Sequence, residues 1–158
     1  MRHLPNTTGG ENALYNECVA ITGATGFVGK ATIQALQDAG IQLRALTRRP
    51  LTQTLNIGND VNWVQGNLAN SAALGRLFSG ADTVIHIAGA TKALSRNEFM
   101  RVNAVGAFTA AAQAHACGAK HFILISSLAA TRPEISGYAA SKAAGEAAVQ
   151  LFADKMRV

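Results

Sequence analysis

Tyr138 and Lys142 stand four residues apart at the start of an Ala-rich stretch, so a helix would set both on one face. A phenol exchanges its proton poorly at neutral pH, and a neighbouring ammonium favours its ionised form. A phenol assisted in this way can pass a proton to the oxygen of a carbonyl whose carbon has received hydride. Alone, such a pair is commonplace. Ser126 and Ser127 follow a short apolar run and add a hydroxyl able to hold that oxygen. Eleven residues separate Ser127 from Tyr138.

A second chemical pattern lies near the other end of the sequence. Thr22-Gly23-Ala24-Thr25-Gly26-Phe27-Val28-Gly29 has glycines at GxxGxxG spacing between an apolar run and an amphipathic stretch. Gly23 suits a tight turn, Gly26 lets a diphosphate reach the main chain, and Gly29 lets a helix pack close to a sheet. The amides and dipole of the helix start near Phe27 and Val28 would favour a phosphate. A plain structural turn is the alternative. About 20 residues beyond such a loop, a dinucleotide fold usually carries a carboxylate for the ribose. Here the stretch reads Leu46-Thr47-Arg48-Arg49. Two guanidiniums suit a 2′-phosphate, which predicts NADP(H) over NAD(H). The other reading is a solvated basic turn.

The elements that must position these groups follow from periodicity and punctuation. Cys18 to Thr22, Ile41 to Leu46, Val61 to Gln65, Thr83 to Ile87 and Phe122 to Ile125 read as strands apolar along both faces. Between them, Phe27 to Ala39 puts Val28, Ala31, Ala35, Leu36 and Ala39 at helical spacing. Ser71 is placed to cap a helix over Ala72 to Phe78, and Asn97 to Cys117 is a long Ala-rich helix stopped by Gly118. Tyr138 to Met156 is a last helix, with Ala140, Ala144, Ala147, Leu151 and Phe152 expected inward. Strands alternating with helices imply a doubly wound parallel sheet, a three-layer α/β/α Rossmann fold. Residues 1–16 read as a polar leader and 17–158 as one domain. Met156-Arg157-Val158 looks like the opening of a further strand, so the chain reads as cut short.

Composition narrows the partners. The 158 residues are 49% hydrophobic, enough for a sizeable core, and 14 Lys+Arg against 9 Asp+Glu leave a formal charge of +5. The charge is scattered, and no basic run has interleaved aromatics, which argues against nucleic acid. No apolar stretch reaches the roughly 20 residues of a membrane span, and no h-region marks a secretory signal. Cys18 and Cys117 are far apart and outside CxxC spacing, as expected of reduced thiols in a cytoplasmic protein. No His/Cys/Asp/Glu cluster has metal-ligand spacing. His86, inside an apolar strand, reads as a hydrogen-bonded structural residue. Lys92, Arg96 and Arg101 read as a solvated face, and Trp63 as packing.

The sequence resembles the short-chain dehydrogenase/reductase superfamily, in its extended NAD(P)-dependent epimerase/dehydratase branch, from about Cys18 to the C-terminus. TGATGFVG, Gly23 with Thr25, Gly26, Phe27, Val28 and Gly29, is close to that branch's TGxxGxxG signature. Gly66-Asn67-Leu68 looks like its Gly-Asp-Leu stretch against the adenine, with Asn67 in place of the usual aspartate. His86-Ile87-Ala88-Gly89 resembles its cofactor-lining segment, so Ala88 and Gly89 would touch the cofactor. Asn103 matches an asparagine of the next helix, Ser127 the catalytic serine, and Tyr138 to Lys142 the YxxxK motif.

The resemblance implies Tyr138 as acid/base, Lys142 easing its ionisation and holding the nicotinamide ribose, and Ser127 orienting the substrate. It implies an NADP-linked oxidoreductase acting on a small carbonyl or alcohol, with NAD as the other cofactor choice. Two alternatives stand beside it, a nucleotide-sugar epimerase or dehydratase and a non-catalytic nucleotide-binding module. The Ser127-to-Tyr138 spacing is shorter than in many relatives, and the branch's C-terminal substrate lobe is absent from this sequence. Glu146, one turn beyond Lys142, could pair with its ammonium. The Ala-rich helices Asn97–Cys117 and Tyr138–Met156 would permit a homodimer.

Overall fold

The computed structural model describes residues 17–53 and 60–158, so the N-terminal stretch read as a leader lies outside the described residues. Five strands, β1 Cys18–Thr22, β2 Gln42–Thr47, β3 Val61–Gln65, β4 Thr83–His86 and β5 His121–Leu124, form one sheet in the order β3-β2-β1-β4-β5. Every pairing is parallel, with Ile21 opposite Ala45 and Ile85, and Val84 opposite Phe122. The order reverses at β1, whose neighbours β2 and β4 belong to different halves of the chain. That leaves a crevice at the carboxyl ends of β1 and β4. Arg157 bridges His121 in parallel, and its carbonyl accepts from the Phe122 amide at 2.8 Å. The last residues therefore do open an extension beyond β5.

Helices cover the sheet unequally. On one face α2 Ser71–Phe78, α4 Gly106–Ala116 and α5 Gly137–Gln150 bury Leu74, Leu77, Phe78, Val84, Phe122 and Val149. The alanines of α4, Ala107, Ala110, Ala111 and Ala114, are wholly buried and let that helix lie close to the strands. On the other face α1 Phe27–Asp38 packs Ile33 onto Val19, Ile21, Leu43 and Ala45, with Trp63 at the margin. Burying a side chain such as Phe122 or Ile33 stabilises the fold by about 1.5–3 kcal/mol.

Several details differ from expectation. The inward face of α1 is Gly29 and Ile33, whereas Val28, Ala31, Ala35 and Ala39 are exposed. Gly29 decides this rotation: a Cβ there would lie 2.2 Å from the Gly23 carbonyl oxygen, so this face must press on the loop. In α5 the buried residues are Ala139, Ser141, Lys142, Gly145 and Val149, whereas Ala147 and Leu151 face out. Helical structure ends at Gln150, short of Met156, although Phe152 is buried as expected. The cap of α2 is Asn70, whose Oδ1 accepts from the Ala73 amide at 2.9 Å, and Ser71 is already helical.

The long helix expected over Asn97 to Cys117 is continuous but not uniform. Its opening turn, α3 Arg96–Phe99, leads through a π-helical stretch Met100–Val105 into α4. Such π segments are rare and frequently mark functional sites. This one contains Asn103.

Candidate active site

The crevice is floored by main chain. Gly23, at φ +75°, lies so close to the segment after β4 that a Cβ on it would be 2.5 Å from the Ala88 amide nitrogen. Gly26 differs: a Cβ there would meet only the Gly23 carbonyl oxygen, at 3.3 Å. Helices α2, α3 and α5 each begin with a side-chain cap, from Asn70, Ser95 and Ser136. Helix α1 begins at Gly26 with none, and the Phe27 ring beside it is 93% exposed. An uncapped helix start behind a glycine turn offers amides and a favourable dipole to an anion. These residues fit the diphosphate of a dinucleotide.

Asn67, Arg48 and Arg49 lie at the same end of the sheet, on exposed turns after β3 and β2. The Asn67 Oδ1 accepts from the Ala69 amide at 2.9 Å, so its carboxamide shapes this turn as a carboxylate would. Leu68 packs on the long helix, where its Cδ1 would be 2.9 Å from a Cβ at Gly106. Arg44, the third arginine of that region, is engaged elsewhere and donates to the Ser79 carbonyl.

Side chains build the opposite wall. Asn103 is buried and holds Ala90 at both ends: Oδ1 accepts from the Ala90 amide at 2.7 Å, and Nδ2 donates to its carbonyl at 3.0 Å. Gly89 sits over this pair, its would-be Cβ 3.1 Å from Asn103 Oδ1 and 4.0 Å from Lys142 Nζ. Lys142 is only 9% exposed, and Nζ donates to the Ile125 carbonyl at 2.8 Å. Burial pushes its pKa down, opposed by the charge of Glu146. Glu146 makes no ion pair with it among the described residues, where Lys120–Asp82 and Arg132–Glu134 are the pairs. The Tyr138 ring is half-buried and meets Phe99 edge-on at 5.8 Å.

The two serines part company. Ser126 turns its hydroxyl into the protein, buried and without a partner among the described residues, beside Ala143 and Glu146 of α5. Ser127 is half-buried, and its oxygen accepts from the Ala129 amide at 3.2 Å, starting a 3-10 turn over Leu128–Thr131. That bond occupies a lone pair and leaves the hydroxyl proton free to donate. Both serines lie just past the end of β5, since that strand starts and stops one residue earlier than expected.

His86 is wholly buried. Its Nδ1 is 2.8 Å from the Thr22 hydroxyl, and its ring stacks on Phe122 at 5.9 Å. Desolvation, with the charge of Lys142 adding to it, pushes its pKa down to about 3. A neutral, tethered imidazole at this depth ties β1 to β4 and is no proton exchanger at neutral pH. Sequence reasoning passed over Ala90 and Ser141. Ser141 donates to the Tyr138 carbonyl at 2.7 Å and accepts from Asn103 Nδ2 at 2.9 Å. A small polar residue set between alanines and Lys142 was the available signal. Ala90 offered none, because only its backbone takes part.

An uncapped glycine turn at the switch point of a parallel sheet, faced by a buried lysine and a tyrosine on one helix, defines a dinucleotide-binding domain of the Rossmann class. The chain belongs to the NAD dependent epimerase/dehydratase family, matched over residues 19–158. It is 49% identical over 132 residues to a ceramide reductase of Caulobacter vibrioides, covering 84% of this chain and 41% of that protein. It is 35% identical over 122 residues to the ketoreductase sphI of Aspergillus fumigatus, covering 73% and 37%. The chain thus spans about two-fifths of the length of these curated relatives.

Among solved structures, a short-chain dehydrogenase/reductase superfamily protein from Agrobacterium tumefaciens with bound NAD superposes with a TM-score of 0.72 at 26% identity. The match covers 86% of this chain and 45% of that one. The Bordetella bronchiseptica enzyme WbmH in complex with NAD+ shares the fold, with a TM-score of 0.74 at 21% identity over 85% of this chain and 52% of that one. The cofactor of the family is a nicotinamide dinucleotide.

Proposed function

We propose that this chain carries the cofactor and proton-transfer machinery of an NADP(H)-dependent carbonyl reductase. The observation that carries the reading is the wall of α5: Tyr138 and Lys142 on one helix, with the Lys142 ammonium 4.0 Å from where a Cβ on Gly89 would be. When bound, the nicotinamide would supply hydride to the carbonyl carbon. Tyr138 gives its hydroxyl proton to the oxygen that thereby gains charge, and a proton from solvent restores the phenol. The Lys142 ammonium stabilises the phenolate in between and reaches the ribose, while Ser127 donates to the same substrate oxygen. Gly23, Gly26 and the amides that open α1 hold the diphosphate. Ala88 and Gly89 line the nicotinamide side, Asn67 and Leu68 meet the adenine, and Arg48 and Arg49 read the 2′-phosphate.

Reduction rather than epimerisation is supported by the relatives' names, which include a ceramide reductase and a ketoreductase. The first also supports a carbonyl borne on an aliphatic chain. So do Leu94, Leu128 and Ile135, large exposed aliphatics close in sequence to Arg96, Ser127 and Gly137. Arg96 packs on Gly137, within 3.5 Å of where a Cβ would be, which joins two of these segments at the start of α5. Two free thiols, Cys18 and Cys117, support a cytoplasmic setting. Exposed Phe108 on α4, with exposed Val105 just before α4 and Leu151 just after α5, supports pairing with a second copy.

Two measurements test the reading. NADPH oxidation is followed with 3-oxododecanamide as the probe, in the parent and in Tyr138→Phe. The parent is expected to consume NADPH and the variant to lose at least a hundredfold in rate; equal rates would remove Tyr138 from the chemistry. In a fluorescence titration, NADPH is expected to bind at least tenfold tighter than NADH, about 1.4 kcal/mol. Equal affinities would remove Arg48 and Arg49 as readers of a 2′-phosphate and leave the reductase standing.

A further inference from the structure

Ser141 lies between Tyr138 and Lys142 in sequence, yet its side chain points into the protein and is wholly buried. Its hydroxyl uses both capacities, donating to the Tyr138 carbonyl at 2.7 Å and accepting from Asn103 Nδ2 at 2.9 Å. Both Nδ2 protons of the Asn103 carboxamide are thereby used. One Nδ2 proton goes to Ser141 and the other to the Ala90 carbonyl, while Oδ1 takes the Ala90 amide. Four hydrogen bonds, the first two side by side between Ala90 and Asn103, thus run from the backbone after β4 to the first turn of α5.

Packing brings the two ends close enough for that series to act as a ruler. A Cβ on Gly145 would be 2.6 Å from the Asn103 carbonyl oxygen, so α5 rests directly on the π-helical stretch one turn beyond Lys142. Contact at Gly145 fixes where the helices cross but not how α5 is rotated about that point. Rotation is set farther up, where the Ser141 hydroxyl joins the Tyr138 turn to Asn103. No other side chain of that turn is bonded to Ala90 or Asn103 among the described residues.

We propose that Ser141 is a positioning residue: through Asn103 it fixes the turn of α5 that carries Tyr138 and Lys142 against the Ala90 segment. The inference rests on the reading that Tyr138 and Lys142 perform the proton transfer. Ser141 itself touches neither cofactor nor substrate. Without its hydroxyl, one Asn103 N–H is left buried and unpaired, a state that native proteins avoid. The carboxamide then turns to seek another acceptor, and its grip on Ala90 loosens. Misplacement of about 1 Å at reacting groups can cost on the order of a hundredfold in rate. A hinge less than one helix turn away from Tyr138 acts well within that range.

Two kinds of measurement test this. In nitrogen-15 NMR of the parent chain, both Asn103 side-chain protons are expected to exchange with water at least tenfold more slowly than those of an exposed asparagine such as Asn97. Free-rate exchange in the parent would overturn the proposal before any variant is made. In Ser141→Ala, that exchange should rise at least tenfold and the Tyr138 ring resonances should shift through their altered contact with Phe99. Ser141→Thr, which restores a hydroxyl, should recover both.

With NADPH and 3-oxododecanamide, Ser141→Ala is expected to lose about tenfold in kcat, with KM and NADPH affinity within twofold and with recovery in Ser141→Thr. An unchanged kcat beside an inert Tyr138→Phe would overturn the role of Ser141 and leave the proposed chemistry standing. A parent that reduces nothing would overturn that chemistry, while the exchange and ring-shift results would still decide whether the clamp exists. Should Ser141→Ala lose its dispersed spectrum, Ser141→Thr against Ser141→Val, two side chains of one shape differing in the hydroxyl, reads the same contrast.

Discussion

The two walls of the crevice are positioned by opposite means. On the α1 side, main chain meets main chain, and the approach of Gly23 to Ala88 and of Gly29 to Gly23 leaves no room for one added carbon. Among the described residues no side chain caps the helix there. On the α5 side, the buried polar side chains of Asn103, Ser141 and Lys142 hold the wall through hydrogen bonds of 2.7 to 3.0 Å. Hard-sphere contact is steep, whereas a hydrogen bond contributes about 1 kcal/mol and its loss is felt in degrees. One wall should therefore fail abruptly, and the other progressively.

The sharpest break of that contrast is Gly23→Ala. An alanine there must hold φ near +75° and place its Cβ 2.5 Å from the Ala88 nitrogen, against backbone that has nowhere to go. We expect a loss of about 3 kcal/mol in unfolding free energy, from left-handed strain and the clash together. Dinucleotide affinity should fall at least a hundredfold. Urea unfolding and the NADPH titration read both quantities, and a variant that binds NADPH normally would show that the loop is softer than its contacts indicate.

Beneath the crevice, the buried polar tie between β1 and β4 breaks in a way graded by pH. His86 is neutral in the fold, with its pKa pushed down to about 3 by burial and by Lys142, against 6.5 for the exposed side chain. The unfolded chain therefore takes up a proton that the folded chain refuses once the pH drops below about 6.5. Stability is fully present above that value and is lost as the pH falls toward 3, at about 1.4 kcal/mol per pH unit. Between pH 7 and pH 5, ahead of most carboxylate titration, the parent should lose roughly 2 kcal/mol more than His86→Gln. Parallel curves for the two proteins would mean that the imidazole is hydrated in the fold.

What the sequence disclosed, and what it withheld, divides along the same line. The glycine loop was readable because backbone shape demands one residue type at fixed spacing, and Gly23, Gly26 and Gly29 all stand where that spacing puts them. The parallel sheet was readable because strands such as Val19 to Ile21 are apolar on both faces. Tyr138 and Lys142 could be paired because a helix fixes their separation. The Asn103–Ser141 clamp could not, since it joins residues 38 apart through a π-helical turn that no local propensity announces. Helix faces failed for a related reason. In α1 and α5 alanine occurs on several faces, so apolar spacing was ambiguous, and which face turns inward was settled by where Gly29 and Gly145 must touch backbone.

Helix starts carry the comparison to its smallest scale. A Ser or Asn ahead of an apolar run can serve as N-cap, and Ser71 was the residue expected in that role. Asn70 takes the role, accepting from Ala73 at 2.9 Å, while its own carbonyl receives the Leu74 amide at 3.0 Å. Ser71 has already turned helical and its hydroxyl caps nothing. Asn70→Ala should therefore cost about 1 kcal/mol, and Ser71→Ala less than about 0.5 kcal/mol, in urea unfolding. Neither substitution should alter NADPH binding, because α2 spends its cap on its own amides, whereas α1 begins at Gly26 with no side-chain cap. A larger loss from Ser71→Ala than from Asn70→Ala would shift the helix start by one residue. A loss of NADPH affinity in Asn70→Ala would mean that the two helix starts are coupled through the sheet edge, and the division between a steric and a hydrogen-bonded wall would have to be redrawn.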